Sequence, residues 1–331
     1  MEQIEKVLAG SRLRGRPTVV GVRSGGSTRL WARGELPDGE SSLFEIGSVT
    51  KVVTALLLAD LVRSGPARYD DPVADLLPVA PSIVGRPISL VDLATHHSGL
   101  PRLPAGMLLA GMTRDRGNPY ARLDDDRMMQ AIRETRPTRP PGERFAYSNY
   151  GAGLLGYALA RSAGTSYDEL VAARVAGPLG LLDTAVSTPV GAADRLAAGR
   201  SRWGRRTERW DLASLAGAGG LVSTATDLLG LLALWGPDAR GPLAEAAAET
   251  AVARHRANPV MGVGLAWLRI AGGAGPARFR FDHDVLWHNG GTGGHRSFAA
   301  VLPETGDAVV VLSARARSVD DLGLRLVRAL S

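Results

Sequence analysis

The sequence predicts an α+β protein, in which an antiparallel sheet built from both ends of the chain is flanked by helices. Three observations support this. Strand-like patterns lie at 17–35, and they return after residue 260. Between them, from about 72 to 210, the chain has helical spacing and proline-containing loops. A sheet closed by both termini, with an all-helical lobe inserted between them, accounts for this order.

The 331 residues contain no internal repeat and no evident linker. The length is enough for one large or two modest domains with a substantial core. We therefore expect a single domain over residues 1–331. Its α/β lobe is expected at about 1–72 and 215–331, and its helical lobe at about 73–214.

The first elements are two strands and a buried helix. Residues 17–35 alternate apolar stretches with glycine, which predicts an antiparallel pair with a turn near Gly25 and Gly26. Residues 48–64 predict a helix that is apolar on nearly every side, so it belongs in the centre of a domain. The helix is expected to end at Ser64-Gly65-Pro66, a stop signal.

The later elements follow from periodicity and capping. Thr224 or Thr226 could cap a helix that runs to Trp235. Helical spacing predicts further helices at 90–96, 124–135, 150–163 and 166–176, and a final amphipathic helix at 318–330. Strands are predicted at 261–269, 278–282, 285–289, 296–302 and 308–313.

Composition excludes several classes of protein. Without cysteine, the chain has no disulfide, no thiolate metal ligand and no cysteine nucleophile. No apolar run reaches 18 residues, so no membrane-spanning helix is expected. The first 20 residues lack the features of a signal peptide, and a cytoplasmic location is expected. No cofactor is implied.

The formal charge of +6 could indicate an anionic partner, but 33 acidic residues are scattered among 39 basic ones. An arginine-rich, solvated surface explains the charge better. Six arginines lie in 195–209, near Trp203 and Trp210. This segment is interpreted as a solvated loop rather than a nucleic-acid site.

Only two of the basic residues are lysines, and Lys51 lies three residues after Ser48. Arginine cannot lose its proton at any useful pH, whereas a lysine can when burial or a nearby cation lowers its pKa. Residues three apart at a helix start share a face, and free N–H groups there favour negative charge. Lys51 is therefore a candidate proton acceptor for Ser48. The alternative is an ordinary residue of the first helical turn.

Two further segments carry candidate chemistry. A tyrosine beside a cationic lysine can have a lowered pKa, so Tyr147 is a candidate general base or acid. Asn149, two residues later, could donate to a substrate carbonyl and hold Lys51. Residues 287–294 (Trp-His-Asn-Gly-Gly-Thr-Gly-Gly) place glycines near a strand end, where backbone can approach a ligand closely. The alternatives are a half-buried aromatic in a turn and a hairpin with a surface histidine.

A metal site is not supported. His96 and His97 are adjacent, so they would not share a helix face, and no acidic cluster accompanies them.

In this order, the motifs resemble the serine β-lactamase and penicillin-binding-protein superfamily. The likeness is strongest to class C β-lactamases, D-aminopeptidase/DD-carboxypeptidase relatives and family VIII carboxylesterases. Residues 44–51 resemble the nucleophile motif, 147–149 the Tyr-x-Asn motif, and 93–101 the Thr-His-x-Ser-Gly-Leu loop. Residues 178–181 are a further marker, and 288–290 stand where the family has Lys-Thr-Gly or His-x-Gly. The resemblance covers nearly the whole chain, and it implies the same α+β fold with the site between the lobes.

The resemblance also implies a role for each motif. Ser48 would be the acylated nucleophile, with Lys51 and Tyr147 sharing proton transfer. His288 would line the site and bond Tyr147 or the substrate. The oxyanion hole would consist of the N–H groups of Ser48 and Gly291, and the substrate contacts would be Asn149, Asn289, Gly290 and Arg296.

One departure bears on the substrate. The third motif begins with His288 instead of lysine, and histidine is mostly neutral at pH 7. This weakens the case for a dedicated β-lactamase or wall peptidase, whose substrates carry a carboxylate opposite that cation. Arg296 on the next predicted strand could replace the cation if the substrate is acidic.

The expected function is a serine hydrolase that acts on small esters or amides through a covalent Ser48 ester, with possible weak β-lactam hydrolysis. The alternatives are an acyltransferase of the same fold, a DD-peptidase or β-lactamase, and a non-catalytic binding protein. The expected partner is a small acyl substrate, not a nucleic acid or a membrane. The oligomeric state is left open.

Overall fold

A computed structural model describes residues 1–11, 13, 15–105, 107, 117–120, 122–275 and 280–331. Within these residues, eight strands form one antiparallel sheet in the order β2-β1-β10-β9-β8-β7-β6-β5, and β3 and β4 form a separate pair. The strands are β1 Thr18–Ser24, β2 Ser27–Arg33, β3 Phe44–Glu45, β4 Val222–Ser223, β5 His255–Asn258, β6 Met261–Val263, β7 Leu268–Ile270, β8 Val285–Gly291, β9 Arg296–Val301 and β10 Ala308–Ser313.

The sheet joins the two ends of the chain. Val20 of β1 lies opposite Trp31 of β2 on one side and opposite Val311 of β10 on the other. The predicted N-terminal hairpin and the closure of the sheet by both termini are therefore confirmed.

Helices cover both faces of the sheet. They are α1 Glu2–Ala9, α2 Thr50–Ser64, α3 Leu90–Ala94, α4 Asp125–Glu134, α5 Asn149–Ser162, α6 Tyr167–Val171, α7 Gly177–Leu179, α8 Ala225–Leu232, α9 Pro242–Ala251 and α10 Asp320–Arg328. A π-helical turn, Ala172–Ala176, follows α6, and a 3₁₀ turn, Gly47–Val49, precedes α2.

Alternation along the strands creates two cores. Val310 and Leu312 of β10 face the larger core, which contains α2. Val309 and Val311 face the smaller core, formed with α1 and α10. Helix α2 is buried on nearly every side, as its sequence predicts. It brings its first turn, and with it Lys51, to the middle of the molecule.

Most predicted helices are confirmed within a few residues, and Thr224 caps α8 by accepting from the Asp227 N–H at 3.1 Å. The predicted strand at 261–269 is instead two strands, because Ala266 has φ +60° and its N–H donates to the Ala94 carbonyl. In the predicted strand at 278–282, residues 280–282 are irregular, and 278–279 lie outside the described residues. Helices α1 and α9 and strand β5 were not predicted.

The described residues of 73–214 form helices, turns and isolated bridges and add no strand to the sheet. This agrees with an inserted helical segment, whereas the boundaries between the two lobes stay a prediction. No helix in the described ranges is long and apolar enough to cross a bilayer.

Candidate active site

Ser48 lies in the 3₁₀ turn between β3 and α2, where the chain packs against the end of β8. Gly47 has φ +50°, and a Cβ on it would lie 2.5 Å from the Gly291 nitrogen. A Cβ on Gly290 would lie 2.1 Å from the Ile46 carbonyl oxygen and 2.9 Å from the Ser48 nitrogen. Only glycine permits this approach, and it brings the two proposed oxyanion donors, the N–H groups of Ser48 and Gly291, to adjacent backbones.

Lys51 is the centre of the site. Its side chain is 1% exposed, and Nζ lies 3.1 Å from Ser48 Oγ, 3.0 Å from Asn149 Oδ1 and 2.5 Å from the Ala218 carbonyl oxygen. Burial lowers the pKa of Lys51 well below its ordinary value, and the charge of Arg102 lowers it further. The lowered pKa favours the neutral amine.

In its neutral form, the Lys51 amine has two hydrogens and one lone pair. The Ala218 carbonyl and the Asn149 Oδ1 can only accept, so they take both hydrogens of Lys51. The lone pair then remains for the hydroxyl proton of Ser48.

Tyr147 lies over the same centre. Its ring centroid is 5.0 Å from Lys51 Nζ, 5.5 Å from Arg102 Cζ and 4.4 Å from the ring of His96. Burial raises the pKa of Tyr147 to about 12, although a hydrogen bond with Ser48 and the charge of Arg102 oppose the rise. The predicted lowering of this pKa is wrong, because burial penalises the phenolate and is the largest effect on Tyr147.

The residues after Tyr147 fix its position. Ser148 caps α5: its hydroxyl accepts from the Gly151 N–H at 2.8 Å and donates to the Pro101 carbonyl at 2.6 Å. Asn149 accepts from Lys51, as predicted, and its Nδ2 donates to the Tyr120 hydroxyl at 3.3 Å.

The loop at 93–101 supports Tyr147 from the other side. His96 adopts φ +60°, and its carbonyl accepts from the Ala146 N–H at 2.8 Å. Its Nδ1 accepts from the Ser148 N–H at 3.3 Å, while its ring packs on Tyr147. The loop thus acts as a scaffold for the second motif.

His288 is buried beside these residues. Burial, together with the charge of Lys51, lowers the pKa of His288 to about 3, so its ring is neutral. Its Nδ1–H donates to the Asn289 carbonyl at 2.6 Å, and its ring centroid lies 6.3 Å from that of Tyr147. The ring packs near Tyr147, but no described hydrogen bond joins them.

The site opens into a cleft of about 500 Å³. The predicted residues that line it are Ser48, Tyr147, Asn149, Asn289, Gly290, Gly291 and Arg296, whereas Lys51 and His288 are not among the residues that line it. Sequence reasoning missed the other lining residues: Arg102, Leu103, Tyr120, Trp210, Thr292, Ser318 and Asp320.

Like Asn149, the predicted substrate contacts Asn289 and Arg296 already have protein partners. Asn289 Nδ2 donates to Asp320 Oδ2 at 2.9 Å. Arg296 Nη1 donates to the carbonyls of Thr292 and His295, both at 2.7 Å. Burial lowers the pKa of Arg296, and the negative charge of Asp320 opposes that shift. Arg296 is therefore engaged with the turn between β8 and β9.

The interpretation of 195–209 as a solvated loop needs correction at both ends. Arg195 forms ion pairs with Asp38 at 2.9 Å and Asp183 at 2.8 Å. At the other end, the backbone N–H of Trp210 donates to Glu45 at 3.1 Å, and its indole lines the cleft. Within the described parts of the chain, no group of three or more His, Asp or Glu side chains is placed to hold a metal ion.

The comparisons with known proteins agree with this geometry. The sequence profile of the family described as Beta-lactamase matches residues 10–331. The chain belongs to the Beta-lactamase family. A class C β-lactamase from Rhodobacter sphaeroides has the same fold, with a TM-score of 0.82 and 25% identity over 100% of this chain and 98% of that one. The α+β fold is thereby confirmed.

Characterised relatives carry several names. A β-lactamase of Pseudomonas fluorescens is 27% identical, covering 84% of this chain and 80% of its own. The D-alanyl-D-alanine-carboxypeptidase/endopeptidase AmpH of Escherichia coli (strain K12) is 32% identical over 57% of this chain. The match covers 47% of that relative, about half of its length. Both relatives carry the names of enzymes.

Proposed function

We propose that the protein is a serine esterase or amidase for small acyl substrates, with Ser48 as the acylated residue. The observation that carries the proposal is the environment of Lys51. Its two hydrogens are taken by acceptors that cannot donate, and its lone pair is left for the Ser48 hydroxyl. A base held in this way favours removal of the serine proton without a change of geometry.

Acylation then follows in balanced steps. Lys51 Nζ takes the proton of Ser48 as Oγ forms a bond to the substrate carbonyl carbon. The N–H groups of Ser48 and Gly291 stabilise the oxyanion. Tyr147, whose phenol is still protonated, gives its proton to the leaving group as the bond to that group breaks. The Lys51 ammonium then returns a proton to Tyr147.

Deacylation uses the same groups in reverse. Water enters the cleft and loses a proton to the Tyr147 and Lys51 pair as its oxygen attacks the acyl carbon. The Ser48–acyl bond breaks, and Ser48 recovers a proton. His288 contributes no charge near pH 7, so it would act by packing and by hydrogen bonding.

A second candidate is a penicillin-interactive enzyme, a DD-peptidase or β-lactamase. The names of the relatives favour it, among them penicillin-binding protein 4 of Amycolatopsis lactamdurans, which is 29% identical over 82% of this chain. Against it stands the neutral His288, at the position where the Lys-Thr-Gly form of the motif has a lysine.

The test is the mass of the intact protein after incubation with a fluorophosphonate and, separately, with a penicillin. Wild type is expected to gain one fluorophosphonate adduct that Ser48→Ala lacks, and Ser48→Ala should lose all ester turnover. A stable penicillin adduct, or rapid penicillin turnover, would shift the assignment to the second candidate. An adduct that persists in Ser48→Ala would contradict the proposed nucleophile.

A further inference from the structure

Arg102 lies on the wall of the cleft contributed by the helical segment, together with Leu103, Tyr120 and Asn149. Its side chain is exposed, and its guanidinium carbon lies 5.5 Å from the centroid of the Tyr147 ring. It forms no ion pair with any residue that the structure describes. In contrast, Arg86 pairs with the carboxylate of Asp92, and Arg195 pairs with that of Asp183.

Arg296, the cation that the sequence suggested for this role, lies on the opposite wall and already has protein partners. Its Nη1 serves two backbone carbonyls, and Asp320 lies close enough to act on its charge. Asp320 also lines the cleft on that side. An anionic group near Arg296 would therefore meet a carboxylate, whereas one near Arg102 would meet a cation without a described counter-charge.

The positive charge of Arg102 also acts on the buried residues of the site. Its positive charge lowers the pKa of Lys51 and opposes the rise in pKa of both Tyr147 and Tyr120. A cation that acts on these buried groups and is open to the cleft would also attract an anion bound beside them.

We propose that Arg102 binds a carboxylate of the substrate, so that the enzyme prefers acyl donors that carry one. The planar guanidinium can donate two parallel hydrogen bonds to a carboxylate. This inference rests on the proposed function, because it names the substrate class of the same site. The carboxylate could belong to the acyl group or to the leaving group, and two pairs of substrates separate these cases.

The first pair is mono-(4-nitrophenyl) glutarate and 4-nitrophenyl pentanoate, which differ in charge on the acyl side. The second is 3-carboxy-4-nitrophenyl butyrate and 4-nitrophenyl butyrate, which differ on the leaving-group side. The values of kcat/KM are measured for wild type, Arg102→Gln and Arg102→Lys. Arg133→Gln, which removes an exposed arginine of α4 outside the cleft, is the control.

Wild type is expected to prefer the anionic member of one pair. Arg102→Gln should reduce that preference at least about tenfold, in line with a charge-assisted hydrogen bond. Arg102→Lys should keep part of the preference, and Arg133→Gln should keep all of it. Loss of Arg102 should also raise the pKa of Lys51, which would slow both members of a pair alike. The ratio within a pair therefore isolates substrate binding.

Equal losses for anionic and neutral donors, or a wild type with no preference in either pair, would overturn the inference while the proposed function stands. Failure of the wild type to hydrolyse any donor, together with failure of the fluorophosphonate to label Ser48, would instead overturn the proposed function. Equal labelling of wild type and Arg102→Gln would show that the variant keeps an intact site.

Discussion

At the scale of single residues, the site depends on two side chains whose pKa values burial moves apart. Burial lowers the pKa of Lys51 well below its ordinary value and raises that of Tyr147 to about 12. Both shifts favour the neutral form of the group, and each group has a contact with Ser48 through which a proton could pass. The neutral pair avoids the cost of a buried, unpaired charge.

Lys51→Arg tests the need for a base. Arginine keeps the positive charge but cannot release its proton, so kcat/KM is expected to fall by about 10²–10⁴. In wild type, activity should rise with pH as Lys51 loses its proton and level off well below the ordinary lysine value of 10.5, because burial lowers its pKa. The measurement is a pH–rate profile of ester hydrolysis.

The matched control is Lys6→Arg, which changes the other lysine, an exposed residue paired with Glu2. It should leave the profile unaltered. A Lys51→Arg variant that retains more than about a tenth of wild-type activity would exclude Lys51 as the base.

At the scale of elements, the site exists because the nucleophile turn and the end of β8 share a backbone contact. The contact has no room for a side chain at Gly47 or Gly290. Ser297 of β9 reinforces it, since its hydroxyl donates to the Ile46 carbonyl at 2.6 Å. The spacing of the two oxyanion donors is thus fixed by packing between elements.

A comparison of Gly47→Ala with Gly39→Ala separates the cost of backbone strain from the cost of steric overlap with β8. Both glycines have φ +50°, but a Cβ on Gly39 meets nothing within 4 Å, whereas one on Gly47 meets backbone atoms of Gly291. Gly39→Ala should cost about 1–2 kcal/mol of unfolding free energy. Gly47→Ala should cost more, and it should lower kcat at least about tenfold by moving the donors apart.

Denaturant unfolding and steady-state kinetics of the two variants provide the comparison. Similar losses of stability and similar rates in both variants would mean that the contact with β8 is unimportant.

At the scale of the whole molecule, a buried carboxylate joins three distant segments. Glu45 of β3 lies 3.4 Å from Nδ1 of His295, beyond β8, and accepts from the Trp210 N–H at 3.1 Å. Burial, the largest single effect, raises the pKa of Glu45, but contacts with His295, Thr292 and Trp210 together lower it below its ordinary value of 4.5. The charged form is therefore the one that the fold stabilises.

This direction sets the sign of a pH dependence. The folded-state pKa of Glu45 is lower than the unfolded one, so its contribution to stability is present above about pH 4.5 and is lost as the pH falls through the folded value. Glu45→Gln should destabilise the protein at pH 7, by about 1–3 kcal/mol. The gap to wild type should narrow on acidification towards pH 3.

Thermal unfolding from pH 3 to pH 7 checks this, with the exposed Glu143→Gln as control. A gap between wild type and Glu45→Gln that stays constant with pH would show that the charge of Glu45 does not contribute.

The sequence by itself determined the features that depend on local order. Alternation identified β1 and β2, the apolar run identified α2, and the Ser48–Lys51 spacing placed both residues on one helical turn. The helix α9 could also have been found, since a proline at its start is followed by seven consecutive good helix formers, Leu243–Glu249. Ordered motifs were enough to indicate the family, because their chemistry requires particular residues at particular spacings.

Only the tertiary structure decided which charges exist in the site and which residues line the cleft. The pKa of Tyr147 rises because of burial, and burial depends on segments far away in the sequence. Arg102 and Trp210 reach the cleft through the course of loops, which carry no periodic signal. Arg296 lines the cleft as predicted, but its Nη1 is already bonded to the carbonyls of Thr292 and His295, which its position in the sequence does not show. Spacing specifies what is adjacent along the chain, whereas solvation and charge are set by what the fold brings together.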